Sequence, residues 1–193
     1  MRGHGWGQGE GGGGVRLRRL LTEVHKRQLG GFSFLYGIPG AVGGAIRMNA
    51  GTRNGEMKDI LVEAEILSPE NTTWKSREDL ELAYRSTKLL KNEIVITARL
   101  RALGPLTSEE TEILKEDKKY RKRTQPLRFP SGGSVFRNPR EGAAGALIEQ
   151  AGLSGRRVGD AQVSELHGNF IINLGESTSL DILNLMREVQ AEV

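Results

Sequence analysis

Strand-type and helix-type periodicities interleave in this sequence without a strict strand–helix–strand rhythm, which predicts an α+β protein. Two observations carry that expectation. Ile60, Val62, Ala64 and Ile66 alternate as a half-buried strand does, and so do the residues from Ile94 to Leu103. Leu17, Leu20, Leu21 and Val24 instead recur at the spacing of one helix face. A third feature, the break from Pro126 to Pro130, divides the 193-residue chain. The expected organisation is therefore 1–14, 15–127 and 128–193.

Eight of the first fourteen residues are Gly and show no apolar periodicity, so 1–14 is expected to be disordered. A helix begins near Val15 and ends at Gly30–Gly31. The first strand, Ile60–Leu67, is followed by Ser76 and Asp79 at capping-box spacing, which predicts a short helix to Leu82. After the second strand, Thr107 or Ser108 opens a long polar helix. Its glutamates, Glu109, Glu110 and Glu112, come first and its basic residues last, as the helix dipole favours. Beyond the proline break come a helix near Gly142–Ala151, a strand at Phe170–Leu174, and a helix from Thr178 or Ser179 to the end, with Asp181 in its first turn.

Composition excludes several classes. There are no cysteines, so disulfides and thiolate metal sites are ruled out, and His4, His25 and His167 are too scattered for an ordinary zinc site. No run of eighteen or more apolar residues spans a membrane, and no secretory signal is visible, so the expected location is cytoplasmic. The net charge of +4 favours an anionic partner without choosing one. Lys118-Lys119-Tyr120-Arg121-Lys122-Arg123 reads as a solvated helix face; no nucleic-acid-binding motif accompanies it, so nucleic acid is not the expected partner.

Three stretches carry chemistry. Gly37-Ile-Pro-Gly-Ala-Val-Gly-Gly-Ala and the residues to Gly51 hold five glycines and a proline, a backbone able to turn tightly and approach a ligand closely. Its N–H groups are suited to an anion where the loop enters a helix, although neither a Walker loop nor a GxGxxG spacing is met. A plain turn between packed elements is the other reading of this stretch. Ala83-Tyr-Arg-Ser-Thr87 reads, on its residues alone, as a surface Arg, although an Arg fork suits a planar carboxylate. Ser131-Gly-Gly-Ser-Val-Phe-Arg-Asn-Pro139 reads, on its residues alone, as a turn. No histidine is spaced to suggest a Ser–His nucleophile.

Together these strings resemble, in order, the motifs of the MurB-type flavoenzymes of bacterial cell-wall synthesis. Ala144-Gly-Ala-Leu-Ile-Glu-Gln-Ala-Gly-Leu-Ser-Gly155 and Gly159-Asp-Ala-Gln-Val-Ser-Glu-Leu-His-Gly-Asn-Phe-Ile-Ile-Asn173 are similar to two more of them. The resemblance runs from about Val15 to Val193. It departs at Ala83, Thr87, Arg137, Asp160 and Gly168, where the family pattern has Gly, Ser, Lys, Gly and Ala.

The resemblance implies the second part of a FAD-binding domain over 15–127 and a small α+β substrate-binding domain over 128–193. It implies FAD and NADPH as cofactors, a UDP-sugar enolpyruvyl substrate and a role in peptidoglycan synthesis. Ile38, Pro39, Gly40, Gly43, Gly44 and Asn49 would contact the flavin. Arg85 and Ser134 would be catalytic, Ser134 as proton donor, and Tyr84, Arg137 and Asn138 would bind substrate. No metal is implied, and a monomer is expected. The family's first flavin-binding segment and its final Glu-bearing segment are expected to fall outside this sequence. Two other readings stay open: a catalytically inactive remnant of such an enzyme, and a small basic RNA-associated protein. Glu149 and His167 are read as structural.

Overall fold

The structure is a computed structural model and describes residues 8–140 and 142–193. They fold as two compact units, one ending at Lys118 and the other running from Lys119 to Val193. The first contains β1 (Gln8–Gly12), α1 (Leu17–Lys26), β2 (Leu29–Gly30), a 3₁₀ turn (Ser33–Leu35), α2 (Val42–Arg47), β3 (Gly51–Thr52) and β4 (Gly55–Glu56). It continues through α3 (Met57–Ile60), β5 (Leu61–Leu67), β6 (Thr72–Ser76), β7 (Ile94–Arg101) and β8 (Gly104–Pro105). α4 (Ser108–Thr124) crosses the division, and the second unit adds β9 (Ser131–Ser134), α5 (Ala144–Gln150), β10 (Arg157–Val158), β11 (Ala161–Val163), β12 (Phe170–Asn173) and α6 (Ser179–Glu192). The fold is α+β.

The first unit is built on an antiparallel sheet of order β1-β7-β5-β6. Alternation along β5 and β7 buries Ala64, Ile66, Val95, Ala98 and Leu100. α1 lays Leu17, Leu21 and Val24 against the same core, joined by Val42 and Ile46 of α2 and by Phe32, Phe34 and Leu35. That face explains why a helix rich in arginine folds where it does: the apolar stripe is buried while the arginines stay in water. The second unit has its own core of Ile148, Leu153, Ala161, Val163, Ile171, Leu185 and Val189, under a sheet of order β10-β11-β12-β9. No helix among the described residues is long and apolar enough to cross a membrane.

Several expectations need correction. Within 1–14, Gln8–Gly12 is not disordered; it pairs residue for residue with Arg101–Thr97 of β7. A ladder needs only backbone groups, which glycine supplies, and Gly13 is demanded by contact, since an added Cβ would lie 2.1 Å from the Val95 carbonyl oxygen. Residues 1–7 of that expectation lie outside the described residues. α1 ends at Lys26 rather than at Gly30–Gly31, and Gln28 takes the left-handed turn (φ 56°). Gly30 belongs to the β2–β8 pair, where a Cβ would meet the Pro105 carbonyl oxygen at 2.6 Å.

The units divide at 118/119, within α4, whereas the sequence placed its boundary at 127/128. Prolines stop a helix; they do not decide which core its turns serve. α4 works for the first unit through Glu110 and Asp117. The Glu110 carboxylate accepts from the Gly31 and Ser33 N–H groups (2.9 and 3.2 Å) and from the Ser33 hydroxyl (2.6 Å). Asp117 accepts from Arg53 (2.7 Å) and Asn54 (2.6 Å). Ser76 and Asp79 do form their reciprocal cap (3.0 and 3.1 Å), but the chain turns at Glu81 (φ 42°) and no helix follows. β9 is a strand where the residues alone suggested a turn. At the last helix, Thr178 and Asp181 cap each other (2.8 and 3.1 Å), an arrangement that holds the Asp181 carboxyl below its usual range through the Thr178 N–H.

Candidate functional site

In the first unit the glycine stretch enters α2 beside β1 and β7. The helix is anchored by protein groups: Val42 N–H donates to the Val15 carbonyl (2.9 Å) and Gly43 N–H to that of Gly13 (2.8 Å). These two donors are therefore spent on the scaffold and not held out to an anion. Gly43 lies so close to the sheet that a Cβ would come within 3.1 Å of the Val95 oxygen. Gly14, Gly40 and Gly44, by contrast, would place a Cβ with nothing within 4 Å, and Gly40 has a left-handed φ of 113°. The result is a bare backbone surface.

A cleft of about 460 Å³ opens over that surface, lined by Gly13, Gly14, Gly43, Gly44, Arg47 and Lys91, with Glu93 and Val95 behind. Its charge is partly settled. The buried Glu93 carboxylate accepts from Lys75 Nζ (2.6 Å) and from Leu90 N–H (2.8 Å), and the lysine bond above all holds that carboxyl below the usual range. Arg47 donates to the Glu93 carbonyl (3.2 Å) and keeps its remaining guanidinium donors. The cleft therefore combines bare glycine backbone with two cations, Arg47 and Lys91, beside a carboxylate already paired with Lys75.

The other end of the stretch is tied down by Asn49, which is wholly buried with φ 39°. Its amide donates to Glu56 (2.8 Å) and to the Ala83 carbonyl (3.0 Å), while its oxygen accepts from Lys58 N–H (3.0 Å). Both donors of this side chain are used within the protein. Next to it, Ala83 and Ser86 exchange two backbone hydrogen bonds (3.0 and 3.2 Å) across a tight turn with Arg85 at φ 52°. The Arg85 guanidinium donates to the carbonyls of Asn49 (3.0 Å) and Gly51 (2.6 Å) and stacks over Tyr84, which is exposed. Arg85 is thus already joined to the end of the glycine stretch.

In the second unit a cavity of about 430 Å³ gathers Ser134 at the end of β9, Asn138, Glu149 of α5, His167, Asn169 and Arg123. Asn138 is held by accepting from Ala144 N–H at the start of α5 (3.0 Å). Glu149 accepts from Gly168 N–H (2.8 Å), and His167 Nδ1 accepts from Asn169 N–H (3.2 Å) with its ring against Phe170. α5 presses tightly on this turn, for a Cβ at Gly168 would lie 2.6 Å from the Gly145 carbonyl oxygen. The arrangement presents a hydroxyl, amides, an imidazole and a carboxylate to one space.

The family model for the C-terminal domain of UDP-N-acetylenolpyruvoylglucosamine reductase matches residues 125–193. The UDP-N-acetylenolpyruvoylglucosamine reductase of Bacillus velezensis is 42% identical over 187 residues, 94% of this chain and 61% of that protein. The one from a Nostoc species is 45% identical over 93% of this chain and 55% of its own length. The crystal structure of UDP-N-acetylenolpyruvylglucosamine reductase (MurB) from Thermus caldophilus superposes with a TM-score of 0.87 and 42% identity, over 96% of this chain and 69% of that one.

The chain belongs to the MurB family.

It spans about three-fifths of the length of the Bacillus relatives it matches, 61% in each case. Within this MurB chain, Gly43 and Gly44 line the cleft, Gly40 is exposed but not among its lining residues, and Ile38 packs partly on the core while Pro39 is exposed. Ser134 and Asn138 share the second cavity; Arg137 is exposed and is not among its lining residues. Sequence reasoning passed over Arg47, Lys91, Glu93, Arg123 and Asn169. Arg47 is a cation within the glycine-rich stretch, a visible signal, whereas Lys91 lies in a stretch without glycine and meets that surface only in the fold. Asn169 announces nothing until the strand pairing is known.

Proposed function

We propose that this chain carries flavin- and substrate-binding parts of a FAD-dependent, NADPH-driven reduction of UDP-N-acetylglucosamine enolpyruvate to UDP-N-acetylmuramate, in peptidoglycan precursor synthesis in the cytoplasm. The observation that carries the reading is that Ser134 and Asn138, matched by the family motif, open on one cavity with His167 and Glu149.

The fit to a flavin dinucleotide rests on the bare glycine surface and on Arg47 and Lys91, cations that suit a diphosphate. A bound flavin, reduced by NADPH, would supply the hydride that the methylene carbon of the enolpyruvyl group takes up. The chain's own residues do the rest of what is proposed. Gly40, Gly43 and Gly44 let the cofactor approach the backbone closely, with Ile38 and Pro39 flanking. Asn49, buried and saturated, shapes that loop from behind rather than touching the cofactor through its side chain. Arg85 has N–H donors beyond the two it gives to Asn49 and Gly51, and these would meet the substrate carboxylate, where charge develops as an enolate. Tyr84 lies beside it. Asn138 and Arg137 would hold polar and phosphate groups of the substrate, and Ser134 would deliver a proton to the carboxylate-bearing carbon of the enolate, the methylene carbon having taken the hydride.

The decisive experiment separates the two half-reactions by stopped-flow absorbance. Ser134→Ala should leave flavin reduction by NADPH nearly unchanged and slow reoxidation by the enolpyruvyl substrate about 10²–10⁴-fold. Equal slowing of both halves, or of neither, would remove Ser134 from the proton-donor role.

A further inference from the structure

Asn169 occupies an unusual place. It is buried to 4% exposure at the turn before β12. β9 pairs with β12 as far as Ser134, opposite Phe170, and there the regular ladder ends. Past that point the partner chain turns, and after one further backbone bond the pairing passes to a side chain. Asn169 takes over. Its carbonyl accepts from Val135 N–H (2.9 Å), its side-chain oxygen accepts from Phe136 N–H (2.8 Å), and its side-chain amide donates to the Phe136 carbonyl (2.8 Å). One amide side chain thus mimics a strand residue and satisfies both backbone groups of Phe136. Its own N–H is given to His167 Nδ1 (3.2 Å), and α5 packs too closely behind for the turn to shift freely, since a Cβ at Gly145 would come within 3.1 Å of the His167 ring.

We propose that Asn169 is a positioning residue for the proton donor: by bracketing Phe136 it extends the β9–β12 pairing past Ser134 and fixes the backbone from which the Ser134 hydroxyl reaches into the cavity. This rests on the reading of Ser134 given above. With Ser134–Phe136 pinned on Asn169, rotation about the Ser134 side-chain bond is the hydroxyl's main remaining freedom. Without the bracket, the end of β9 frays and the hydroxyl spends less time in line with the reacting carbon, so turnover suffers more than binding.

The bracket needs an acceptor and a donor on the same side chain, which gives the test its form. Asn169→Asp keeps the acceptor for Phe136 N–H but can donate to the Phe136 carbonyl only when protonated. Amide hydrogen exchange at Val135 and Phe136, which requires no flavin, should speed up at neutral pH and be protected again on acidification. Val163, bonded to Arg156 elsewhere in the same unit, serves as the unaffected reference. In flavin-loaded protein the same variant should slow reoxidation by the enolpyruvyl substrate by up to about 10²-fold at neutral pH and recover at acid pH, with far less change in substrate affinity. Glu149 of α5, His167 of the same turn and Arg123 also face the cavity and carry or gain charge; Asn169→Leu, or Asn169→Ser should the leucine variant not fold, keeps all three and should show no acid recovery. Combined with Ser134→Ala, Asn169→Asp should slow reoxidation no further. Unchanged exchange at Phe136, a loss that persists at acid pH, or an undiminished loss in the Ser134→Ala background would overturn the bracket while leaving Ser134 in place. A Ser134→Ala protein with normal reoxidation would instead overturn the proton-donor reading and the bracket's catalytic role with it.

Discussion

Residues that the sequence offered as ligand contacts divide, once folded, into those facing open space and those consumed by the scaffold. Asn49 is the clearest of the second kind, and a sequence cannot say on which side of a loop an amide will lie. Asn49→Ala should lower stability by about 1–3 kcal/mol, because the Lys58 N–H loses its partner, while Glu56 and the Ala83 carbonyl each lose one of theirs; a chemical denaturation midpoint equal to that of the parent chain would contradict this. Glu93 supplies the pH-dependent case. Lys75 holds its folded pKa below the ordinary carboxylate value, so its contribution is present above the unfolded pKa near 4.3 and is lost as pH falls through the lower folded value. Glu93→Gln should therefore cost about 1–2 kcal/mol at pH 7, with Lys75 partly exposed, and the gap to the parent should close as pH falls through the lowered folded value. A gap that widens in acid would mean the ion pair is not its source. Glu110 was legible only as a helix-dipole charge, since its partners at Gly31 and Ser33 lie 79 and 77 residues away.

At the scale of elements, periodicity located what it measures. α1, β5, β7, α4, α5, β12 and α6 all lie near their expected ranges, because each carries a repeating apolar face or a capping signal. Two of the strands that escaped notice, β1 and β9, are mostly glycine and serine; their pairing depends on neighbours far along the chain, not on their own side chains. The Ser76–Asp79 cap shows the converse, a local signal fully satisfied without the element it usually opens. Glycine positions that look alike in the sequence should respond in opposite ways. Gly13→Ala drives a Cβ into the Val95 carbonyl and should destabilise the first unit severely. Gly44→Ala meets nothing within 4 Å and replaces a helical glycine, so it should stabilise α2 by about 0.5–1 kcal/mol. The same methyl narrows the proposed cofactor cleft, so the melting temperature should rise while flavin affinity falls; an unchanged affinity would move the cofactor away from Gly44.

The whole molecule holds two separate cores, and the candidate site was legible in pieces that follow this division: the glycine stretch and Arg85 in the first unit, Ser134 and Asn138 in the second. The gathering of Gly43 and Gly44 with Lys91, and of Ser134 and Asn138 with His167 and Asn169, was not legible, because it depends on strand order. Leu185→Ala, which empties a fully buried position of the second core, should cost about 2–5 kcal/mol there. Amide exchange should then rise at β11 and β12 and stay unchanged at β5 and β7; a uniform rise would mean that the cores unfold as one. The glycine strand β1 has a consequence of a different kind. Among the described residues it forms an edge of the first unit's sheet, the position at which sheets are most exposed to stacking on one another. β1 is mostly glycine and offers a neighbour no apolar ladder to interlock with, and its Glu10 carboxylate is already paired with Arg99 of β7 (3.4 Å). Filling Gly9 and Gly11 with valine would strengthen the strand and at the same time remove that protection, and light scattering on heating should register the change as aggregation.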